Sequence, residues 1–183
     1  MNADGFEGRA VFECVPVRTW YLEMKSPPGG TAPKWPPEER IVRAVRPTLS
    51  FSRFLYTQAG AGYSWYDRVL MPDEELLGIL HDDRVQVHVL WVRGVPAGYC
   101  ELDGRRRGEV EIAYFGILPE YRGRGYGPRL LQWAVHEAWS ANPGRVWLHT
   151  CEFDAPAALP MYVRAGFTQY DERIETQRIA AEP

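Results

Sequence analysis

Long apolar runs are missing from this chain, as are the clustered cysteines and histidines that hold metal ions. Although 45% of its 183 residues are hydrophobic, no stretch approaches the roughly 20 apolar residues of a membrane-spanning helix. Cys14, Cys100 and Cys151 lie apart in apolar, strand-like segments, and His81, His88, His136 and His149 are equally dispersed. Neither a disulfide framework nor a metal centre is predicted. Positive charge is not in excess, since 21 Lys and Arg against 24 Asp and Glu leave a formal net charge of −3. The basic run Arg105-Arg106-Arg107 is bracketed by Gly104 and Gly108 and reads as a solvated hairpin tip, which argues against generic nucleic-acid binding. Met1 leads into Asp4, Glu7 and Arg9 rather than an apolar leader. These absences predict a reduced, cytoplasmic protein with no membrane contact.

What is present is enough apolar residue for one core. The reading is a polar tail over 1–10, a single domain over 11–175 and a frayed tail over 176–183. Val11 to Met24, rich in Val, Phe, Trp and Tyr, suits a strand, with Pro16 marking an edge or a bulge. A proline-rich loop follows, then a short segment from Ile41 to Val45 whose class stays open. Ser50 to Gln58 and Asp73 to Leu80 have helical spacing, the second with an acidic first turn. From Val85 the period changes to two, and Gly94-Val95-Pro96 is predicted to turn one strand into the next. The Arg105–Gly108 turn then delivers a strand from Glu109. Later come a helix, a strand from Arg145 to Phe153, a short helix opened by Asp154-Ala155-Pro156 and kinked by Pro160, and a last strand from Phe167 to Ile174. This order predicts an α/β fold, a mixed sheet with helices on both faces.

The most informative stretch is the one in which the Glu109 strand runs through Ile117 and Leu118 into Arg122-Gly123-Arg124-Gly125-Tyr126-Gly127 and then directly into an amphipathic helix. Glycines there allow positive φ and close backbone approach, so that amide groups converge at the positive end of the helix. Such a nest suits a phosphate or pyrophosphate, with Arg122, Arg124 and Arg129 adding charge. The Gly-Lys-Ser/Thr ending of a Walker loop is absent, and the glycine spacing is not that of a dinucleotide fingerprint.

The loop resembles the acetyl-CoA loop of the GCN5-related N-acetyltransferases, Arg/Gln-x-x-Gly-x-Gly/Ala between strand and helix. Downstream, Leu159-Pro160-Met161-Tyr162-Val163-Arg164-Ala165-Gly166-Phe167 is similar to that family's Leu-Tyr-x-x-x-Gly-Phe helix end. The likeness is close over about 85–170. It implies a mostly antiparallel sheet of six to seven strands whose fourth and fifth strands splay apart, with the pantetheine arm of acetyl-CoA inserted between them. It further implies that backbone around Phe115, Ile117 and Leu118 pairs with that arm, that Arg122, Gly123, Arg124, Gly125, Tyr126 and Gly127 hold the pyrophosphate, and that no metal takes part.

Acetyl transfer needs a base for the attacking amine and a donor for the leaving thiolate. The resemblance makes Glu111 the base, placed by strand alternation on one face with Ala113 and Phe115, with Glu109 or a water chain as alternatives. It makes Tyr162 the donor. The aromatic-rich segments suggest a compact pocket for a small amine, with Trp20, Phe54, Trp65 and His149 as substrate residues. The implied function is acetyl transfer to a small primary amine, with or without pairing as a homodimer. A non-catalytic acyl-CoA sensor, or acetylation of a protein amino group, are the alternatives.

Overall fold

The computed structural model describes residues 12–180; the tail over 1–10 lies outside them. Seven strands form one sheet: β1 (Phe12–Met24), β2 (Glu39–Ala44), β3 (Val85–Val92), β4 (Val95–Asp103), β5 (Glu109–Ile117), β6 (Arg145–Cys151) and β7 (Thr168–Ala180). Their order is β2-β3-β4-β5-β6-β1-β7. Every pairing is antiparallel except β5 with β6. Helices α1 (Leu49–Ala59), α2 (Asp67–Leu70), α3 (Asp73–Leu80), α4 (Tyr126–Ser140) and α5 (Ala158–Arg164) complete the described residues.

Helices α1, α3 and α4 bury the apolar stripes that their spacing provides. Leu55 and Ala59 of α1, with Leu76 and Leu80 of α3, cover Val87, Val89 and Tyr99 on one face of the sheet. Leu131, Ala134, Val135 and Ala138 of α4 cover Cys100, Leu102, Val110 and Ile112 on the other. Thr48 caps α1 by accepting a hydrogen bond from the amide of Phe51 at 3.3 Å, the side-chain cap that a helix start favours.

Several local expectations are revised. The segment of open class is strand β2, which has antiparallel partners from Glu39–Val92 to Ala44–Val87. The β3–β4 turn is Arg93-Gly94, both at positive φ, as a tight two-residue hairpin requires. Pro96 lies inside β4, beside the irregularity that leaves Ala97 without an opposite residue. Pro16 sits where β1 has β7 on one side but has run past β6 on the other, a local edge that tolerates a missing N–H. Helix α5 begins at Ala158, so Pro160 falls in its first turn, where no amide is needed, and the expected kink has no cause. Strand β7 continues to Ala180, because β1 supplies partners as far as Phe12–Ala180; residues 176–180 are therefore strand rather than frayed tail.

Two features of β5 set up the site. Its parallel pairing with β6 consists of Glu109–Arg145, Val110–Val146 and Glu111–Trp147. Beyond these, β5 runs on to Ile117 and β6 to Cys151 without pairing, so the strands part and leave an opening through the sheet. Meanwhile Ala113 is bulged, since Tyr114 faces Glu101 while Ile112 faces Leu102. An extra residue in one strand reverses the inside–outside sequence beyond it. Ile112 and Phe115 accordingly both pack on the α4 side, and Tyr114 packs on the α1 side.

Helix α1 sits hard against β5 at Gly116. A Cβ there would come within 2.7 Å of the Ala59 Cβ. Gly116→Ala is expected to destabilise the protein by about 1–3 kcal/mol through overpacking, read as a lower urea midpoint at unchanged m-value. An unchanged midpoint would show that α1 can retreat freely.

Candidate acyl-CoA and acceptor site

Strand β5 ends at Ile117, a 3-10 turn spans Pro119–Tyr121, and the chain reaches α4 through Gly123 (φ 73°) and Gly125 (φ 81°). Gly125 is the cap of α4, in the left-handed conformation and without a side-chain cap, and no acidic residue occupies the first turn. Among the described residues, the amides of Gly123, Arg124 and Gly125 have no acceptor. A 15-residue helix thus points an uncompensated positive end and free amides at the mouth of the strand opening. Gly127 lies in the first turn of α4, where a Cβ would make an ordinary contact of 3.5 Å with the Met161 sulfur.

The arginines divide by task. Arg122 donates from Nε to the Ile117 carbonyl at 3.0 Å, and from one terminal nitrogen to the carbonyls of Ala59 at 2.9 Å and Ala61 at 3.0 Å. Its guanidinium also lies 4.8 Å from the Tyr63 ring centre. It straps the loop to the end of α1. Arg129 bonds Glu39 at 2.9 Å and the Lys34 carbonyl, while the Tyr126 hydroxyl donates to the same Glu39 at 3.0 Å. Both tie α4 to β2. Arg124 rests beside Tyr121, 5.8 Å from its ring centre, and keeps its charge for the loop.

A cavity of about 570 Å³ runs from this loop through the opening between β5 and β6. Phe115, Ile117 and Tyr162 line its donor end, with Gly123, Gly125 and Gly127 at the mouth. Leu118 does not line it: its side chain is 5% exposed in the core under α1, and its amide already donates to Ala97 at 2.9 Å. Tyr162 is 7% exposed and packs edge-on against Phe115 and Phe167. Its hydroxyl has no hydrogen-bond partner among the described residues. Burial, then the nearby Asp154 charge, push the phenol well above its ordinary pKa, so it stays a proton-bearing donor.

On the α1 side of the sheet, the bulge at Ala113 corrects the expected placement of Glu111. It shares a face with Tyr114 and Gly116, not with Phe115. Its carboxylate oxygen Oε1 is 3.3 Å from Nδ1 of His149, and His149, not Glu111, lines the cavity. The His149 side chain is 44% exposed, against 18% for Glu111; protein surrounds the imidazole, but the exposed edge faces the hollow. Burial opposes its protonation, but the hydrogen bond and charge of Glu111, with the charges of Asp154 and Glu175, outweigh it and raise the pKa above the ordinary histidine value. Glu109 is committed to Arg145 at 3.0 Å.

The cavity wall on the α1 side, where an acceptor would sit, is drawn from separate segments. Trp65 lines it and donates from Nε1 to Asp154 at 3.0 Å. Asp154 also accepts from the Thr150 hydroxyl at 2.7 Å and the Cys151 amide at 3.0 Å. Gln177 of β7 donates to the Ser64 carbonyl at 2.8 Å. Trp20 and Phe54 are not part of this wall. Trp20 packs on the opposite face, with the α4 core, its Nε1 donating to Glu172 at 3.1 Å, and Phe54 is 43% exposed on the outside of α1. Asp154, Glu175 and Gln177 were missed as site residues. Asp154 reads as a helix opener and Glu175 as the residue between the last strand and a frayed tail, although the β-favouring Thr176 and Ile179 beyond it are a signal that the strand continues.

A mostly antiparallel sheet split at its one parallel strand pair, with a glycine nest at the mouth of the split, defines the GCN5-related N-acetyltransferase fold. The chain belongs to the Acetyltransferase (GNAT) family, which it matches over residues 50–167. A mycothiol acetyltransferase from Kineococcus radiotolerans is 36% identical over 102 residues, which cover 55% of this chain and 32% of that protein. A GCN5-related N-acetyltransferase from Sphaerobacter thermophilus superposes with a TM-score of 0.65 at 20% identity, covering 90% of this chain and 52% of that one. The IAA acetyltransferase from Bacillus cereus gives 0.57 at 19% identity, covering 73% and 79%. The chain therefore spans about a third of the curated relative and about half of the Sphaerobacter structure. No helix among the described residues is long and apolar enough to cross a membrane.

Proposed function

We propose that the protein transfers an acetyl group from acetyl-CoA directly to a primary amine of a small molecule. The observation that carries this reading is that one cavity joins the uncompensated end of α4, the unpaired edge of β5 and the His149 imidazole. Acetyl-CoA supplies the activated acyl group. The amides of Gly123, Arg124 and Gly125, with the Arg124 charge, suit its pyrophosphate, and the open edge of β5 near Phe115 and Ile117 suits the amides of its pantetheine arm.

His149 takes the role of proton acceptor. Glu111 holds the Nδ1 proton and leaves Nε2 for the amine, and the raised basicity of the pair favours proton uptake. Tyr162, kept protonated by its burial, donates to the departing sulfur. Direct attack, without an acyl-enzyme, agrees with the state of the cavity thiol: Cys151 has its pKa pushed up to about 11 by burial and the Asp154 charge, which makes it a poor nucleophile. The relative's printed name, a mycothiol acetyltransferase, supports acetyl transfer to a small molecule rather than to a protein chain.

The test is thermal unfolding with acetyl-CoA, CoA and ATP in parallel, followed by amine-dependent thiol release. A ligand bound by the native state alone raises the midpoint. Shifts with both CoA species and none with ATP are expected; no shift with either CoA species would overturn the assignment of the loop, and binding without turnover on any amine would favour a non-catalytic acyl-CoA sensor.

A further inference from the structure

Resting on that reading, and going beyond it to the acceptor, we infer that the amine acetylated here carries a second positive charge, which Glu175 receives while the reacting nitrogen sits at His149. Glu175 belongs to β7 and lines the cavity, and its charge is near enough to His149 to favour the protonated imidazole. The Tyr21 hydroxyl donates to one of its oxygens, so the group is held in place with the other oxygen available. Tyr21 meets His149 by its ring, with centres 5.9 Å apart, and Glu175 by its far hydroxyl end. The phenol therefore spaces the two groups and gives the acceptor two polar stations rather than one.

The rest of the wall fits the same occupant. Tyr56, Tyr63, Trp65 and Tyr114 supply aromatic surface around the acceptor end, which suits an alkyl chain and an ammonium group together. Asp67 and Asp154 are the other carboxylates of the wall. Asp154 is consumed by Trp65, Thr150 and Cys151, as described above, whereas Asp67 opens α2 at the cavity rim. The one arginine of the lining, Arg122, is turned onto three carbonyls. His149, the remaining group of the described lining that can carry positive charge, has Glu111 as its counter-ion, so a carboxylate-bearing acceptor finds no uncompensated cation and meets Glu175 where a diamine meets attraction.

The test compares α,ω-diamines from propane to hexane with n-alkylamines and ω-amino acids of matched length. At low salt, the best diamine is expected to exceed its matched monoamine about tenfold in kcat/KM, as one partly desolvated charge pair allows, with the ω-amino acid poorest. In Glu175→Gln, which keeps an acceptor for Tyr21, that ratio falls toward one through KM. Calorimetric titration of the same amines into CoA-loaded protein gives a readout independent of turnover: diamines bind more tightly than monoamines, and Glu175→Gln removes the difference. Equal binding of diamine and monoamine by the native protein, or a preference that survives Glu175→Gln, overturns the inference even when acetyl-CoA binds and turns over. Failure of acetyl-CoA to bind overturns the functional reading instead, and the amine titration is then run on the unloaded protein with the same criterion.

Discussion

His149→Gln is expected to lower kcat for amine acetylation by about 10²–10³-fold while leaving acetyl-CoA affinity within a few-fold, because it removes a general base and no donor contact. Glu111→Gln should cost less in rate and show itself chiefly in pH dependence. The active form of His149 is neutral, so native activity rises with pH through a midpoint set by the imidazole. That midpoint lies above the ordinary histidine value, because Glu111, Asp154 and Glu175 favour the charged ring more than burial opposes it. Removing the Glu111 charge withdraws the largest favourable contribution, so the midpoint of Glu111→Gln moves to lower pH. The double variant should be little worse than His149→Gln alone, since the two groups act as a unit. If Glu111→Gln abolishes turnover with no change in the profile while His149→Gln stays active, Glu111 is itself the base and the arrangement proposed here is wrong.

Arg122→Ala is expected to unfold the protein more easily even with no ligand present, by about 2–4 kcal/mol, since several charged hydrogen bonds to carbonyls are lost at once. For a chain of this size that is a fall in Tm of roughly 2–4 °C per kcal/mol. Arg124→Ala, by contrast, should leave ligand-free Tm unchanged and weaken acetyl-CoA binding most at low salt, where an exposed charge acts at its strongest. The two arginines stand two residues apart in one motif, and only the partners seen in the structure separate them. Equal behaviour in both assays would mean that Arg122 leaves its carbonyls for the phosphates when the donor binds.

That pair shows where sequence reading succeeds and stops. The strand–glycine–helix stretch was legible because its determinants are local: positive φ at Gly123 and Gly125, a bare helix start, and apolar spacing along α4. Which arginine would face the ligand was not, because two of the three carbonyls that capture Arg122 belong to Ala59 and Ala61, at and just past the end of α1, some sixty residues earlier. The face of Glu111 was misjudged for a related reason. Strict alternation holds only until a bulge, and the bulge at Ala113 is fixed by registration against β4. Trp20 and Tyr21 are adjacent aromatics of one strand, yet only Tyr21 lies on the side of His149, and aromatic content alone could not say which. Strand β7 was cut short because its last residues are held in place by β1, at the other end of the chain.

The distribution of the cavity's walls along the chain has an evolutionary side. Nearly everything offered to the donor comes from one uninterrupted stretch, β5 through the first turn of α4, whereas the acceptor end borrows residues from β1, the segment between α1 and α2, β6 and β7. A mutation altering acceptor preference therefore falls outside the donor stretch, and only the segment between α1 and α2, whose Ala61 carbonyl and Tyr63 ring hold Arg122, couples the two. On the proposed function, such a molecule can drift from one amine to another by single substitutions elsewhere in the wall while keeping its acyl donor, and a duplicated copy inherits that freedom.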